Sequence, residues 1–437
     1  MKGFQLMKKA VNVTILLTAI NMFAGDYGKI PEQFNPNKVI QRTAVESTPR
    51  RGLANFYYKL ENGQDVTIAY IGNAVTRPGG FCDGVTRHIQ EQYPKSNVKS
   101  IVKGLVGTRS LLGALRLQYD ILRFKPDLLV IEFNMKDGEI PVIEARKSME
   151  GIVRQLWTAN SMADIIFVYT VLMGKELKNL QKGVISKSKC IHEDVADYYG
   201  IPSVDMGCEI ARLERARKLV MKSPEKRKDG KIGFAPNGWV PYNSTGQKLY
   251  AQSIIRALPE MKKSGKATSH LPLPPPMVKG AYDHVITSMI DHKKIQFNGN
   301  WEKLSRENPI VKRYQDRAEK FYRFKPGAKI SLRFSGEKLF LYYMTGPDCG
   351  KFKVRIDNGK EKVLNSFTPW SCHYRLTSML ISDKLPPGEH EITITVLNEK
   401  TEKRSILWKH RKNDFDKNPE KFDGLNLYPI ALFSVCY

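Results

Sequence analysis

The chain has 437 residues, 41% of them hydrophobic and 10% aromatic, which is enough to bury two cores and does not favour an intrinsically disordered protein. Lys and Arg number 70 against 44 Asp and Glu, and the resulting formal net charge of +26 favours anionic partners such as acidic glycans or a phosphate-rich cell envelope. No nucleic-acid-binding motif accompanies this charge, so nucleic acid is not favoured as a partner, and a solvated basic surface is the simplest interpretation.

In residues 1–24, Lys8 and Lys9 precede an apolar stretch from Ala10 to Ala24, which predicts a secretory signal peptide. Polar residues within the stretch and a poor cleavage site leave a buried N-terminal helix as the alternative. The stretch is too short to cross a bilayer, and no other segment is apolar enough to do so. We therefore predict a secreted or extracytoplasmic protein without a transmembrane segment, and we assign 25–49 to an N-terminal extension.

Between residues 50 and 258, apolar strand-like runs alternate with helix-like segments. This alternation predicts parallel βαβ units and a doubly wound, three-layer sheet, whose site lies at the carboxyl ends of the strands. The predicted strands are 66–71, 97–102, 127–133, 164–171 and 201–206, and the predicted helices are 85–93, 109–124, 141–157, one ending near Tyr199, and 246–258.

Residues 259–280 are rich in Lys, Ser and Pro, and we predict that they form a linker. Beyond the linker, the segments 328–344, 350–359 and 388–399 alternate apolar with polar residues. This period of two predicts an antiparallel β-sandwich over 281–437.

The six cysteines form no C-x-x-C pair, so a zinc site is not expected. In an exported protein Cys349 and Cys372 are candidates for a disulfide in the second domain. In a reducing compartment all six would be ordinary thiols. The sequence does not decide between the two.

Three blocks resemble the SGNH (GDSL-type) hydrolase family: RRGLANFYYKLENGQDVTIAYIGNAVT, GLVGTRSLLGALRLQYDILRFKPDLLVIEFNMKDG and YYGIPSVDMG. In the second domain, FSGEKLFLYYMTGPDCGKFKVRIDNG resembles the jelly-roll-like module that accompanies one branch of that family. The resemblance implies an α/β fold, namely a flavodoxin-like SGNH three-layer parallel sheet over 50–258 followed by a C-terminal antiparallel β-sandwich. Members of the family are esterases and acyl hydrolases, often deacetylases of carbohydrates.

The catalytic motifs of the family are degenerate in this chain. The resemblance places Ala74 where the nucleophilic serine belongs, Lys136 at the oxyanion-hole asparagine, and Asn237 and Val240 at the Asp-x-x-His motif. The glycine that supplies an oxyanion-hole amide is kept as Gly104. Acyl transfer needs a hydroxyl, a base and an orienting acceptor, so we expect no intact catalytic residue, no metal and no cofactor. The degenerate positions are Asn73, Ala74, Gly104, Lys136, Asn237 and Val240.

An esterase with a rearranged site would need another nucleophile. Thr76 is the nearest hydroxyl, but it matches a threonine that packs at the start of the family's helix. Cys82 and His88 form a chemically competent pair of residue types. If the helix begins near Gly84, however, His88 points away from the turn and Cys82 packs in the core.

The exchanges remove a carboxylate at Asn237 and add an ammonium at Lys136, which favours an anionic ligand such as a uronate, sulfate, phosphate or carboxylate. Alternatively, Lys136 pairs with Asp137 or Glu132 and only fills space. In the second domain, FTPWSCHYR (367–375) interrupts the strand pattern and is the candidate binding loop. The predicted ligand-binding residues are Arg77, Arg109, Lys136, Asp137, Trp370 and His373.

Three functions follow from these observations. The first is a catalytically inactive SGNH-like protein that binds an acidic glycan or a cell-envelope partner. The second is an active carbohydrate esterase or deacetylase with a rearranged nucleophile. The third is a structural or assembly component with a protein partner.

Overall fold

The fold is seen in a computed structural model that describes residues 27–28, 30, 34–224, 227–241, 244–291, 293 and 295–437. The chain divides into two compact units, Met1–Asp283 and His284–Tyr437. The predicted signal peptide, 1–24, lies outside the described residues. Within the described part of the chain, no helix combines the length and the apolar character that a membrane crossing requires.

The first unit alternates strands with helices, as its sequence pattern predicts. Its strands are β1 (Ser47–Thr48), β2 (Val66–Gly72), β3 (Val98–Gly104), β4 (Leu128–Glu132), β5 (Asp164–Tyr169), β6 (Ser203–Asp205), β7 (Leu219–Lys222) and β8 (Ile232–Ala235). Its helices are α1 (Ala54–Glu61), α2 (Phe81–Gln92), α3 (Ser110–Asp120), α4 (Asn134–Asp137), α5 (Val142–Ala159), α6 (Lys175–Gln181), α7 (Lys187–Tyr199), α8 (Gly207–Arg215) and α9 (Ser244–Lys263).

Six strands form the main sheet in the order β1-β6-β5-β4-β2-β3. All neighbours from β6 to β3 are parallel, and only the short β1 runs antiparallel to β6. This is the flavodoxin-like strand order, in which the chain reverses direction across the sheet between β2 and β4. The doubly wound sheet predicted from the sequence is therefore confirmed.

Both faces of the sheet are covered by helices. On one face, Ile68, Tyr70 and Val130 pack in an apolar cluster with residues of α1, α2 and α9. The intervening residues Ile71 and Ile131 are equally buried on the other face, where α3, α5 and α7 lie in successive contact. The near-continuous apolar strands in the sequence reflect this burial on both sides.

The segment predicted as a linker, 259–280, differs from the prediction. Helix α9 continues through Pro259 to Lys263, and residues 264–283 form an extended strap bound to the first unit. The prolines of the strap cannot donate hydrogen bonds, but their carbonyls accept them: Pro274 O from Arg154 Nη1 at 2.8 Å, and Pro275 O from the Tyr198 hydroxyl at 2.8 Å. The composition of this segment indicates a break in regular secondary structure, but it does not indicate that the segment is bound to the first unit.

The buried carboxylate of Glu150, on α5, holds the end of the strap. It accepts hydrogen bonds from the backbone amides of Met277 and Val278 and from the Tyr199 hydroxyl, the last at 2.7 Å. Its side chain is fully buried, so these three donors replace the water that the carboxylate has lost.

The second unit is an antiparallel β-sandwich, as predicted. One sheet has the order β10-β13-β18-β15-β16 and the other β17-β14-β19-β9. Residues of both sheets, such as Leu332 and Ile392 from one and Leu341 and Leu432 from the other, form a single apolar core. The strands are β9 (Val285–Met289), β10 (Gln296–Asn298), β11 (Trp301–Lys303), β12 (Tyr322–Phe324), β13 (Lys329–Ser335), β14 (Lys338–Thr345), β15 (Lys351–Ile356), β16 (Lys362–Asn365), β17 (Arg375–Ser382), β18 (Glu389–Val396) and β19 (Tyr428–Val435). Short helices are α10 (Pro309–Tyr314), α11 (Lys403–Ile406) and α12 (Lys412–Lys417).

All six cysteines are free thiols in the structure, including Cys349 and Cys372, which the sequence had made candidates for a disulfide. Both are buried in the second unit, where they act as small apolar side chains.

We predict that Glu150→Ala lowers the free energy of unfolding by about 3 kcal/mol, because two backbone amides and a hydroxyl lose their acceptor in a buried position. Limited proteolysis should then cut within 264–283 at protease concentrations that leave the wild type intact. Urea denaturation followed by circular dichroism measures the first effect. Glu260→Ala, which changes a mostly exposed glutamate paired with Lys263, is the matched control and should change stability by less than about 0.5 kcal/mol. Unchanged stability and cleavage in Glu150→Ala would contradict the role given to this carboxylate.

Candidate functional site

Three parallel strands of the main sheet, β2, β3 and β4, end side by side. In register, Gly72 of β2 lies opposite Gly104 of β3 on one side and Glu132 of β4 on the other. The turns that follow these strands, together with those after β5 and β8, build the carboxyl edge of the sheet. This edge is where ligands bind in open α/β sheets, and it holds the positions predicted from the sequence.

Two glycines let the turn after β2 pack against its neighbours. A Cβ on Gly104 would lie 1.6 Å from the carbonyl oxygen of Thr76, and one on Gly72 would lie 2.3 Å from the Thr76 hydroxyl. A glycine is thus required at position 104, because the 73–76 turn approaches too closely for a side chain. The same residue that the family resemblance connects with an oxyanion hole has a packing function here.

Asn73 ties the turn after β2 to the loop after β3. Its side-chain amide donates to the carbonyl of Thr108 at 2.8 Å, and its Oδ1 accepts from the amides of Ala74 at 2.5 Å and Gly107 at 3.2 Å. Ala74 itself is 9% exposed. Its methyl group belongs to the apolar cluster on the α2 and α9 face of the sheet, together with Val75.

The loop between β8 and α9 contains the two positions of the degenerate Asp-x-x-His motif. The Oδ1 atom of Asn237 accepts from the amides of Trp239 and Val240, each at 2.9 Å, so this amide stabilises its own turn. Val240 is buried in the same apolar cluster as Ala74. Ala74 and Val240, where the family resemblance expects a nucleophile and a base, therefore both contribute to packing.

Gln247, which the sequence analysis did not single out, connects this loop with the turn after β2. Its Nε2 donates to Pro241 O at 2.8 Å and to Val75 O at 3.4 Å, while its Oε1 accepts from the amide of Phe81 at 2.7 Å. The side chain is buried and lies at the start of α9. Nothing in its sequence context marked it, because a glutamine near a helix start is ordinarily a solvated residue.

Glu132, the last residue of β4, is the buried acid at the centre of the edge. Its Oε2 accepts a hydrogen bond from the backbone amide of Asn73 at 3.1 Å and lies 3.3 Å from the Thr76 hydroxyl. Its Oε1 lies 3.3 Å from the Thr170 hydroxyl. Burial raises the pKa of Glu132 to about 8, although these hydrogen bonds act to lower it. At neutral pH the carboxyl group is therefore largely protonated.

The hydrogen-bond pattern independently supports a protonated Glu132. Asn134 is oriented by Thr170, whose amide donates to Asn134 Oδ1 at 3.0 Å and whose carbonyl accepts from Asn134 Nδ2 at 3.1 Å. The Thr170 hydroxyl lies 3.2 Å from Asn134 Oδ1, which is therefore an acceptor. A single hydroxyl proton cannot serve both that oxygen and an ionised Glu132. If Glu132 carries a proton on Oε1, it donates to Thr170, which then donates to Asn134.

The polar contacts continue along the edge to β6. Glu176 Oε1 accepts from Asn134 Nδ2 at 3.2 Å and lies 3.6 Å from Nζ of Lys189, which also contacts both oxygens of Asp205 at 2.9 and 3.0 Å. Burial acts to lower the pKa of Lys189, but Asp205 and Glu176 raise it above its ordinary value. The lysine thus stays charged and links two carboxyl groups that the fold has buried.

Lys136 and Arg109 share one acidic partner on the exposed rim. Nζ of Lys136 lies 2.6 Å from Glu139, and Nη2 of Arg109 lies 3.0 Å from the other oxygen of the same carboxylate. The partner is Glu139 and not Asp137 or Glu132, which the sequence had suggested. Two cations for one carboxylate leave this part of the rim positive.

Asp137 is placed differently from the ligand-binding position predicted for it. It is fully buried, its Oδ1 accepts from the Ser110 amide at 2.9 Å at the start of α3, and its Oδ2 lies 2.8 Å from His192 Nε2. The carboxylate therefore caps a helix. Arg77 is half-buried in the loop before α2, where its carbonyl accepts from the amide of Gly80 at 3.2 Å.

Exposed apolar side chains on the carboxyl edge include Trp239 and Met173. Trp239 is 56% exposed, and Met173, whose amide donates to Gly238 O at 3.2 Å, is 39% exposed. Neither was selected from the sequence. Trp239 lies next to Val240, in the turn that the Asn237 side chain stabilises.

Cys82 is fully buried in α2 beside Tyr70, and burial raises the pKa of its thiol well above the ordinary range. A thiolate, the reactive form, is disfavoured there. The described residues contain no group of three or more His, Cys, Asp or Glu side chains that would hold a metal ion.

In the second unit, the predicted binding loop contributes to an exposed aromatic patch. The Trp370 ring lies 6.0 Å from Trp408 and 5.9 Å from His410, and the Arg411 guanidinium lies 5.8 Å from the Trp370 centroid. Trp370 and Trp408 are 42% and 49% exposed. His373 Nε2 lies 3.5 Å from Arg411 Nη1, and burial together with Lys421 and Arg411 lowers the pKa of His373.

No protein-family model and no curated protein matches this sequence. Among solved structures, the chain is similar to a two-domain esterase active on acetylated mannans. The form crystallised with mannopentaose is 18% identical over 89% of this chain and 96% of its own, with a TM-score of 0.67. The form without the oligosaccharide is 19% identical over 89% of this chain and 97% of its own, also with a TM-score of 0.67. The likeness covers both units in order, and the chain has an SGNH hydrolase fold followed by a β-sandwich.

We predict that Glu132→Gln abolishes a pH dependence of stability. Because the folded pKa of about 8 exceeds the ordinary value of 4.5, the native state holds a proton that the unfolded state has lost between these values, so stability falls as the pH rises across this range. Glutamine keeps the acceptor at Oε2 and places a donor toward Thr170. At pH 8.5 the variant should be roughly 2–4 kcal/mol more stable than the wild type, and at pH 5 the two should be similar. Urea midpoints between pH 4.5 and 9 measure the difference, with Glu91→Gln, at an exposed position near the end of α2, as the control that leaves the wild-type profile unchanged. Parallel profiles for Glu132→Gln and wild type would show that Glu132 is ionised throughout.

Proposed function

We propose that this protein is a catalytically inactive relative of the SGNH hydrolases that binds an acidic glycan of the cell envelope at the carboxyl edge of its sheet. The observation that carries the proposal is the position of Ala74 and Val240 within one apolar cluster. A hydroxyl and an imidazole in these places would form the nucleophile and base of an acyl hydrolase. Here the two side chains are a methyl and an isopropyl group, and both pack in the same apolar cluster.

The remaining polar groups near the turn already have structural partners. The Thr76 hydroxyl bonds to Glu132, the side chain of Asn73 bonds to three backbone groups, and the thiol of Cys82 is buried. Each of these contacts holds elements of the edge together. Recruiting any of them as a nucleophile would break a contact that the fold uses, which favours binding over hydrolysis.

The exposed rim has the chemistry of a site for anionic sugars. Lys136 and Arg109 supply two positive charges against the single carboxylate of Glu139. Trp239 offers an exposed indole face at the same edge. Aromatic faces stack on the apolar faces of sugar rings, and cations at the rim select rings that carry carboxylate or sulfate groups.

The aromatic patch of the second unit supports the same class of ligand. Trp370 and Trp408 are exposed. Arg411 lies against the Trp370 ring, and Lys409 and Lys412 are close to Trp408 in the sequence. The solved structure that resembles this chain over both units is of an enzyme described as active on acetylated mannans. Glycan binding without hydrolysis is consistent with that fold and with the residues found here. Secretion through the predicted signal peptide, 1–24, belongs to the same proposal.

Hydrolysis is tested with p-nitrophenyl acetate and an acetylated manno-oligosaccharide. The wild type should show no rate above buffer, and Ala74→Ser alone should add none, because no base lies in the position of Val240. The rearranged-nucleophile alternative requires turnover that Cys82→Ala or Thr76→Ala abolishes. Cys190→Ala, at another fully buried thiol, is the matched control.

Binding is tested by calorimetric titration with acidic oligosaccharides, such as oligogalacturonate and sulfated fragments, beside neutral mannopentaose. We expect saturable binding of the acidic ligands that weakens with salt, and about a ten-fold loss of affinity in Trp239→Ala. Lys136→Met should weaken only the acidic ligands. Tyr58→Ala, which removes an exposed aromatic side chain from α1, should leave affinity unchanged. An absence of binding across the panel would leave an assembly component with a protein partner as the better account of the fold.

A further inference from the structure

The surface of the carboxyl edge continues beyond the turn after β8 to the end of β7. Lys222, the last residue of β7, lies beside the end of β8 in the two-stranded sheet. Gly238, in the turn that Asn237 stabilises, has a φ of +76° and lies close to both neighbours. A Cβ added to it would lie 2.9 Å from the Met173 sulfur and 3.3 Å from Lys222 Cβ. The turn after β5, the turn after β8 and the end of β7 therefore meet at one place.

The exposed side chains around this meeting point are apolar or cationic. Met173 and Trp239 present a thioether and an indole to solvent. Lys222 and Lys175 are also exposed, and Lys175 begins α6, two residues after Met173. Within the residues that the structure describes, neither lysine has an ion-pair partner. Both charges are therefore available to a ligand, in contrast to Lys136, which has an acidic partner.

The acid that follows Lys175 in the sequence does not neutralise this charge. The carboxylate of Glu176 accepts from the Leu172 amide at 2.8 Å and lies 3.6 Å from Nζ of the buried Lys189. Its side chain is 11% exposed. Glu176 thus belongs to the buried network of the edge, and the surface above it is positive.

Glu176 also joins this region to the part of the rim that carries Lys136. Its Oε1 accepts from Asn134 Nδ2 at 3.2 Å, in α4, while its Oε2 holds the turn after β5. The contacts run from α4, which carries Lys136, through the turn with Met173 and the turn after β8, to Lys222. Cations lie at the two ends of this run of turns, and exposed apolar side chains lie between them.

From this arrangement we infer that the carboxyl edge binds an extended chain of acidic sugars, with carboxylate or sulfate groups on more than one ring. The inference rests on the glycan binding proposed above and specifies its ligand. A single acidic ring stacked on the indole of Trp239 has one anionic group, which meets only one of the two cationic ends. A longer chain places its rings over the apolar side chains and offers an anionic group to Lys136 and another to Lys222.

The test is a calorimetric titration of the full-length protein with galacturonate, digalacturonate, tetragalacturonate and hexagalacturonate at constant ionic strength. We expect the affinity to rise about ten-fold or more between the dimer and the tetramer, because the second contact forms within one complex. Neutral manno-oligosaccharides of the same lengths are the reference and should gain less than about two-fold, since they bring no charge to the second end.

Variants at the two ends of β7 identify the second contact. Lys222→Met should bring the affinity for the tetramer down to about that for the dimer and leave dimer binding within about two-fold of wild type. Lys222→Arg keeps the charge and should keep the gain. Lys218→Met, at an exposed lysine just before β7, is the matched control and should bind like wild type. Melting curves confirm that each variant is folded.

Two outcomes would overturn the inference. Affinity that does not rise with chain length, or a rise that Lys222→Met retains, would refute the extended site while dimer binding that Trp239→Ala weakens would leave the proposed function in place. Absence of binding by every acidic ligand would refute both.

Discussion

The carboxyl edge of this molecule depends on one buried acid, Glu132. Its two oxygens meet the turn after β2 through Asn73 and Thr76, and the end of β5 through Thr170. Because the group is buried, it is held as a neutral acid rather than as a carboxylate, and it orders its neighbours by hydrogen bonds without demanding a counter-ion. These hydrogen bonds hold the turns of the carboxyl edge in place, and the exposed side chains of the edge are carried by those turns.

The residues at the positions that the family resemblance connects with catalysis pack in the same edge. In an acyl hydrolase the serine and histidine must be accessible and poised, which costs stability. Ala74 and Val240 belong instead to the apolar cluster beneath the edge, and Gly104 admits the carbonyl of Thr76. Polar groups that remain are bonded to one another. What the edge still presents to solvent is charge at Lys136 and Arg109, and an indole at Trp239.

The sequence predicted periodic features well and isolated contacts poorly. Strands such as β2 and β4 and the alternating strands of the sandwich were evident because burial on one or two faces leaves a repeating pattern. Gly336 at a φ of +136° divides the run 328–344 into β13 and β14, a break that the alternation did not reveal. Gln247, Glu132 and Trp239 carry no pattern, since their partners lie far along the chain. The strap was missed because its bonds come from Glu150 and Arg154, more than a hundred residues earlier.

The strap also has a consequence for how the two units can be separated. A gene fragment ending at residue 258, the predicted end of the helix, would remove the last turn of α9 and the amides that Glu150 binds. The natural cut lies at the junction between Asp283 and His284. If the two units are exchanged with those of other proteins, the proline-rich strap therefore has to stay with the α/β unit. The second unit can be exchanged from residue 284 onward.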